Sequence, residues 1–120
     1  MPSQRETEIG FERRRSLLIV RIRGSIELFC VESLRKSIAD ALEAEETTAL
    51  VVSFAEVTLV DSTGLGLFIA LEKRLHGSCE LRLCEMSASV KAVFQYARIF
   101  SRFDVDDSLA STLASLGAKP

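Results

Sequence analysis

At 120 residues the chain has room for one domain around a single core and is too short for two. Apolar residues make up 48% and charged residues 27%, the profile of an ordinary globular protein, and a formal net charge of −2 supplies no global field to attract nucleic acid or an anionic membrane. No apolar run reaches the ~18 residues that a membrane span needs, and the polar start MPSQRETEIG has no apolar stretch of the kind a signal peptide carries, so no membrane insertion and a cytoplasmic location are expected.

Residues 1–6 read as a loose N-terminus. Glu8 to Arg14 alternates Ile9 and Phe11 with polar neighbours, as a first strand does, and Leu17 to Arg23 reads as a second strand stopped by Gly24. Arg13, Arg14, Arg15, Arg21 and Arg23 form the only basic concentration. A nucleic-acid face needs aromatic residues or a helix among such arginines, so a solvated hairpin is expected and no direct nucleic-acid partner. Gly24 to Leu28 reads as a loop. The helix after it places Val31, Leu34, Ile38 and Leu42 on one stripe and closes on the charged run Glu43 to Glu46.

The most informative stretch is Ala49 to Leu75. Ala49 to Phe54 is an apolar, β-branched run of strand length, a second short apolar piece follows at Val57 to Val60, and the chain then runs into Asp61-Ser62-Thr63-Gly64. Leu65 to Leu71 is apolar at nearly every position. A strand too apolar to face water on either side, followed by a helix apolar almost all round, describes a buried strand–turn–helix unit. Asp61 is a good N-cap residue, and it places Ser62 and Thr63 in the first helical turn, where unpaired N–H groups and the helix dipole favour an anion. The same residues also describe an ordinary capped helix whose Gly64 and Gly66 only permit close packing.

The helix should end near His76-Gly77, with glycine as its C-cap. Glu80 to Cys84 reads as a strand. Ser87 or Ser89 caps a third helix carrying Val90, Val93, Phe94 and Ala97. Phe103 to Val105 reads as a short edge strand, and Asp106-Asp107-Ser108 starts a last helix with Leu109, Leu113 and Leu116 inward. After the initial hairpin, strands alternate with helices. The expected fold is therefore α/β: a four- to five-stranded mixed sheet, parallel in its middle, with about four helices packed mainly on one face.

Little in the sequence points to catalysis. The third glycine of a dinucleotide loop is missing after Gly64-Leu65-Gly66, because Ile69 stands there, and there is no P-loop. Ser62 has no GxSxG context, and the single histidine, His76, is a helix away. Cys30, Cys79 and Cys84 form no CxxC pair, which leaves no metal site and no cofactor in view. A non-enzyme is expected.

Val60-Asp61-Ser62-Thr63-Gly64-Leu65-Gly66 closely resembles the D-S-[ST]-G-[LIV]-G signature of the anti-sigma factor antagonists, the bacterial branch of the STAS domain family. The resemblance runs from about Phe11 to Leu116, as hairpin, G-x-[LI]-[DE] loop, helix, strand, signature helix, strand, helix, edge strand and helix. It implies a single STAS domain over residues 1–120. The implied role is to bind an anti-sigma factor that is also a serine kinase of the GHKL type, releasing the sigma factor. Phosphorylation of Ser62 switches such a protein off, and a phosphatase resets it. Glu27, Asp61, Ser62, Thr63 and Gly64 align with the family's partner-binding residues, and the chain is expected to be a monomer or weak dimer. Two departures stand out: Glu27 occupies a place where the family usually has Asp, and Arg98 one where it has glycine, which bears on the turn there and on any partner contact. The resemblance also admits other roles, as a subunit of an ABC-type lipid transport system, a stress-sensing scaffold or a ligand-binding module.

Overall fold

A computed structural model describes residues 7–117, so the loose terminus read for residues 1–6 lies outside the described residues. The chain folds as β1 (Glu8–Arg14), β2 (Leu17–Ile26), α1 (Leu28–Ala44), β3 (Ala49–Val60), α2 (Ser62–Leu75), β4 (Glu80–Cys84), α3 (Ala88–Tyr96), β5 (Asp104–Asp106) and α4 (Leu109–Ser115). The five strands lie in the sheet in chain order, with β1 antiparallel to β2 and every later pair parallel.

β3 is the middle strand, and its composition follows from that place. Leu50, Val52 and Phe54 point into the main core, while Ala49 and Val51 point into a smaller core on the other face. A parallel strand covered on both sides has no polar face, so its sequence does not alternate. The two apolar pieces expected around Ala55-Glu56 are one 12-residue strand, Ala49–Val60. β2 likewise does not stop at Gly24 but runs on to Ile26, so most of the expected Gly24–Leu28 loop is strand. Two register shifts against β3, between Arg21 and Arg23 and between Gly24 and Ser25, keep the ladder going, and Gly24 takes φ 102 there, which a side chain would resist.

Among the described residues three helices, α1, α2 and α3, cover the main core, and α4 alone covers the other face. α2 is the most deeply set, burying Gly64, Leu65, Leu67, Phe68, Leu71 and Leu75. Its Phe68 joins Phe54 of β3 (ring centroids 5.1 Å apart), and Phe94 of α3 meets Phe103 at 5.7 Å and Phe54 at 6.0 Å. These aromatic contacts tie α2 and α3 to the same stretch of β3. Leu109 and Leu113 of α4 and Leu116 at its C-cap pack against Leu17, Ile19, Ala49, Val51 and Cys84, facing inward as expected but onto the second core. The helix is held by carboxylates at the ends of β4 and β5. Glu85 accepts from the Ser53 hydroxyl at 2.8 Å and from the Leu109 N–H at 3.1 Å, and Asp106 accepts from the Thr112 hydroxyl at 2.7 Å. Burial pushes the Cys84 thiol up to about 11, so this cysteine behaves as a small core hydrophobe.

The helix ends follow their sequence signals closely. Ser87 rather than Ser89 caps α3, accepting from the Val90 N–H at 3.2 Å, and Gly77 takes φ 82 just beyond α2. Beyond α3 the chain closes a Schellman turn. The Arg98 N–H reaches the Gln95 carbonyl at 2.9 Å and the Ile99 N–H reaches the Phe94 carbonyl at 3.1 Å, with Arg98 at φ 62. The turn forms with arginine in the place where glycine is the usual occupant.

A left-handed conformation costs a residue with a Cβ about 1–2 kcal/mol, partly offset by the greater freedom glycine has in the unfolded chain. Arg98→Gly is therefore expected to stabilise the protein by ~0.5–1 kcal/mol. Denaturant titration of the two proteins checks it: a fall in midpoint means that Arg98 makes a compensating contact.

Candidate functional site

The site forms where β2 and β3 end together. The Asp61 N–H donates to the Ile26 carbonyl at 3.1 Å, closing the ladder between the two strands, and each strand then turns directly into a helix. Ile26 leads through Glu27 into α1, and Val60 leads through Asp61 into α2. Two helix N-termini are thus side by side.

Asp61 serves both. Its Oδ1 accepts from the Gly64 N–H at 3.0 Å and from the Thr63 hydroxyl at 2.5 Å, which is the capping expected for α2. Its Oδ2 accepts from the Leu28 N–H at 3.1 Å, in the first turn of α1. Burial alone raises the carboxyl, but the bonds from Thr63, Gly64 and Leu28 outweigh it and hold Asp61 below the usual carboxylate range. The anion-favouring position foreseen at this helix start is therefore already held by a carboxylate of the chain itself.

Ser62 is exposed, and among the described residues its hydroxyl has no hydrogen-bond partner, whereas the Thr63 hydroxyl is engaged with Asp61. Gly64 is buried and has a packing reason to be glycine. A Cβ there would lie 2.6 Å from the Ile26 carbonyl oxygen and 2.9 Å from Val60. Gly66 has none: it is exposed, with nothing within 4 Å of a built Cβ. Of the two glycines read as packing residues, only Gly64 packs. Glu27, expected in a loop, is the N-cap residue of α1, and its carboxylate accepts from the Ser25 hydroxyl at 2.8 Å. All five aligned residues, Glu27, Asp61, Ser62, Thr63 and Gly64, therefore belong to one paired helix start.

What the sequence reading missed is the apolar rim. Phe29 is 92% exposed and Leu28 61%, both in the first turn of α1. Tyr96, at the end of α3, is 94% exposed. A shallow apolar hollow of about 500 Å³ runs from Ser62 and Leu65 across to Ala92, Val93 and Tyr96. A second hollow joins Leu28 and Val31 of α1 to Thr63 and Gly66 of α2. Ser62 thus stands beside two apolar depressions flanked by exposed large side chains, an arrangement of the kind contact surfaces have. The missed signal was the run Ile26-Glu27-Leu28-Phe29, whose last two residues fall outside the buried stripe of their own helix. A larger hollow, of about 620 Å³, lies at the other ends of the strands around His76, Cys79, Glu80 and the Glu72–Arg102 ion pair. Among the described residues no His, Cys, Asp or Glu cluster there or elsewhere could hold a metal ion.

The STAS domain sequence pattern matches residues 8–114, and the chain belongs to that family. It is 23% identical over 110 residues to an anti-sigma F factor antagonist of Paenibacillus polymyxa, covering 91% of this chain and 94% of the relative. An anti-sigma factor antagonist from Mycobacterium paratuberculosis superposes with a TM-score of 0.85 at 16% identity, over 93% of this chain and 95% of that one. The anti-sigma factor antagonist SpoIIAA in its unphosphorylated form gives 0.77 at 21%, over 94% and 100%. A sulfate transporter family protein from Wolinella succinogenes gives 0.74 at 19%, over 85% of each chain. At such identities the structural likeness shows the shared fold. Among the described residues no helix is long and apolar enough to cross a membrane.

The geometry separates the two glycines and tests the shared cap. Gly64→Ala is expected to destabilise by about 1–3 kcal/mol, because the new methyl meets backbone that cannot yield easily. Gly66→Ala should instead stabilise by up to about 1 kcal/mol through helix propensity. Chemical denaturation of both variants decides, and equal effects would mean that the two positions are alike. Asp61→Ala should cost ~1–2 kcal/mol at neutral pH. Because the folded pKa of Asp61 is lowered, its contribution is complete above the unfolded value and is lost as pH falls through the folded one. The stability gap to wild type should accordingly be widest at neutral pH and narrow in acid, and a gap independent of pH rules the charged cap out.

Proposed function

We propose that this protein is an anti-sigma factor antagonist that docks on an anti-sigma factor with GHKL-type serine kinase activity. It does so through the surface around Ser62, and phosphorylation of Ser62 ends the interaction. A phosphatase that removes the phosphate completes the cycle. The observation that carries this reading is the exposed, unpartnered Ser62 hydroxyl, set between apolar hollows at the start of a rigidly capped helix. A kinase needs such a hydroxyl within reach, and an apolar rim gives a partner something to bury. The match to the Paenibacillus polymyxa antagonist along nearly its whole length supports the same role.

The physics of the switch follows from Asp61. A phosphate on Ser62 adds a charge of about −1.5 to −2 directly beside a carboxylate that already holds the helix N–H groups. Little of the helix terminus is left to neutralise it, so the charge projects onto the docking surface. Desolvating an ion without a counter-charge costs several kcal/mol, enough to dissociate a partner. The core is untouched, since Ser62 is exposed, so the switch acts through the surface rather than through a change of fold. The protein itself acts by binding, in the cytoplasm, with no cofactor. The Wolinella neighbour shows that transporter proteins share this fold, and phosphate transfer to Ser62 is the feature that separates the readings.

Incubation with the kinase and ATP should place phosphate on Ser62 and none on Thr63, whose hydroxyl is committed to Asp61. Peptide mass spectrometry reads this directly. Calorimetric titration of the kinase should show Ser62→Ala binding as wild type, Ser62→Glu binding at least about tenfold more weakly, and the melting temperatures of all three nearly equal. Glu27→Ala should also weaken the complex while melting as wild type. Normal binding by Ser62→Glu, or phosphate persisting in Ser62→Ala, would falsify the assignment.

A further inference from the structure

The two edges of the sheet are unlike. β5 is three residues long and offers little to pair with. β1 has seven residues, Glu8–Arg14, with no proline or lysine, and among the described residues β2 is its only strand neighbour. In an antiparallel pair the backbone groups of alternate residues point away from the partner, so the outer edge of β1 carries a row of N–H and C=O groups that no strand among the described residues receives. Phe11, in the middle of this strand, is 42% exposed although Val20 opposite it is fully buried.

The charges along β1 make the edge complementary to itself. Ile9, Phe11 and Arg13 stand opposite Ile22, Val20 and Leu18, which face the main core; Glu8, Gly10, Glu12 and Arg14 therefore line the other face. Two copies related by a twofold axis and paired antiparallel must match residues of the same face, so the axis passes through a residue. Centred on Gly10 it sets Glu8 against Glu12, and centred on Glu12 it sets that carboxylate against its own copy. Centred on Phe11 it places Glu8 opposite Arg14 twice, Gly10 opposite Glu12, and the two Phe11 rings side by side. Opposite charges and aromatic pairs directly across strands are the stabilising cross-strand combinations. Gly10 has open space around its Cβ position, which leaves room for the Glu12 side chain of the other copy.

We infer that the free edge of β1 is a self-pairing interface, through which two copies join antiparallel about Phe11 into one continuous ten-stranded sheet. Glu8 already bonds Arg23 at 3.2 Å and Arg14 already bonds Glu12 at 2.6 Å, so the new pairs extend an existing ladder of ions across the dimer axis. The contact is a single strand edge and thus small, which makes the association reversible and concentration-dependent. It does not depend on the anti-sigma reading, since no residue of β1 lines the hollows around Ser62.

Sedimentation equilibrium of the full chain over a range of concentrations should show the mass rising from 13.2 kDa towards twice that value. E8R alone and R14E alone should each weaken association at least about tenfold, by setting like charges at both ends of the contact. An equimolar mixture of the two should restore it, because the mixed dimer has an opposite pair at each end. Thermal melts establish that each variant is folded. If a charge variant is not, Phe11→Ala takes its place and should also weaken association. A chain that stays at 13.2 kDa at every concentration overturns the proposal, as does a mixture that associates no better than either variant alone. Association left unchanged by Phe11→Ala assigns the dimer to another surface, with the same consequence.

Discussion

The Asp61 carboxylate accepts hydrogen bonds from the first turns of two different helices, and the candidate functional end of the molecule is arranged around that fact. A helix begins with donors that no residue of the helix can receive, and here the starts of α1 and α2 lie together because β2 and β3 are parallel neighbours ending at the same level. One carboxylate, itself at the end of the strand ladder, receives an N–H from each. Removing it leaves two helix starts without a shared acceptor. Its presence fixes the spacing between Leu28 and Phe29 on one side and Ser62 on the other. The proposed docking surface is held together by this cap, although nearly all of it is exposed.

Under the proposed function, the Asp61 cap would also set the sign of the switch at Ser62. Taken alone, a helix N-terminus welcomes an anion. With Asp61 in place, the welcome has already been used, and a second anion at Ser62 adds to a negative spot. In the proposed switch a phosphate on Ser62 need not rearrange the fold, since an unscreened double charge in a mostly apolar surface is sufficient. Gly64 and Gly66 fit this division of labour. Gly64 lets α2 approach the Ile26 carbonyl closely enough for the two helix starts to share Asp61, while Gly66 keeps a stretch of helix surface bare at a cost in helix propensity that the fold does not require.

Much of the fold is legible in the residues because period and capping are local properties. The unbroken apolarity of Ala49 to Phe54 states that β3 is covered on both faces, and the stripe of α1, the cap at Asp61 and the glycine at Gly77 mark helices within a residue or so of where they lie. The errors came where tertiary pairing overrode a local signal. Gly24 looks like a stop, yet β2 continues through it because β3 on one side supplies a ladder and two register shifts absorb the mismatch. Ala55-Glu56 looks like a break, yet the same ladder carries β3 across it. Arg98 looks unsuited to its turn, yet two backbone hydrogen bonds hold it there at φ 62.

The strands, the helices, their order and the grouping of Asp61, Ser62 and Gly64 in one local motif can be read along the chain, since all of these rest on residues a few positions apart. That α4 crosses to the far face of the sheet, that Glu27 and Asp61 stand at adjoining helix starts, and that Leu28, Phe29 and Tyr96 flank the Ser62 region emerges from the packed fold alone. Those relations join residues more than thirty positions apart, and no periodicity encodes them. They follow from which strands pair in parallel and from the one carboxylate placed to serve both helices where the strands end.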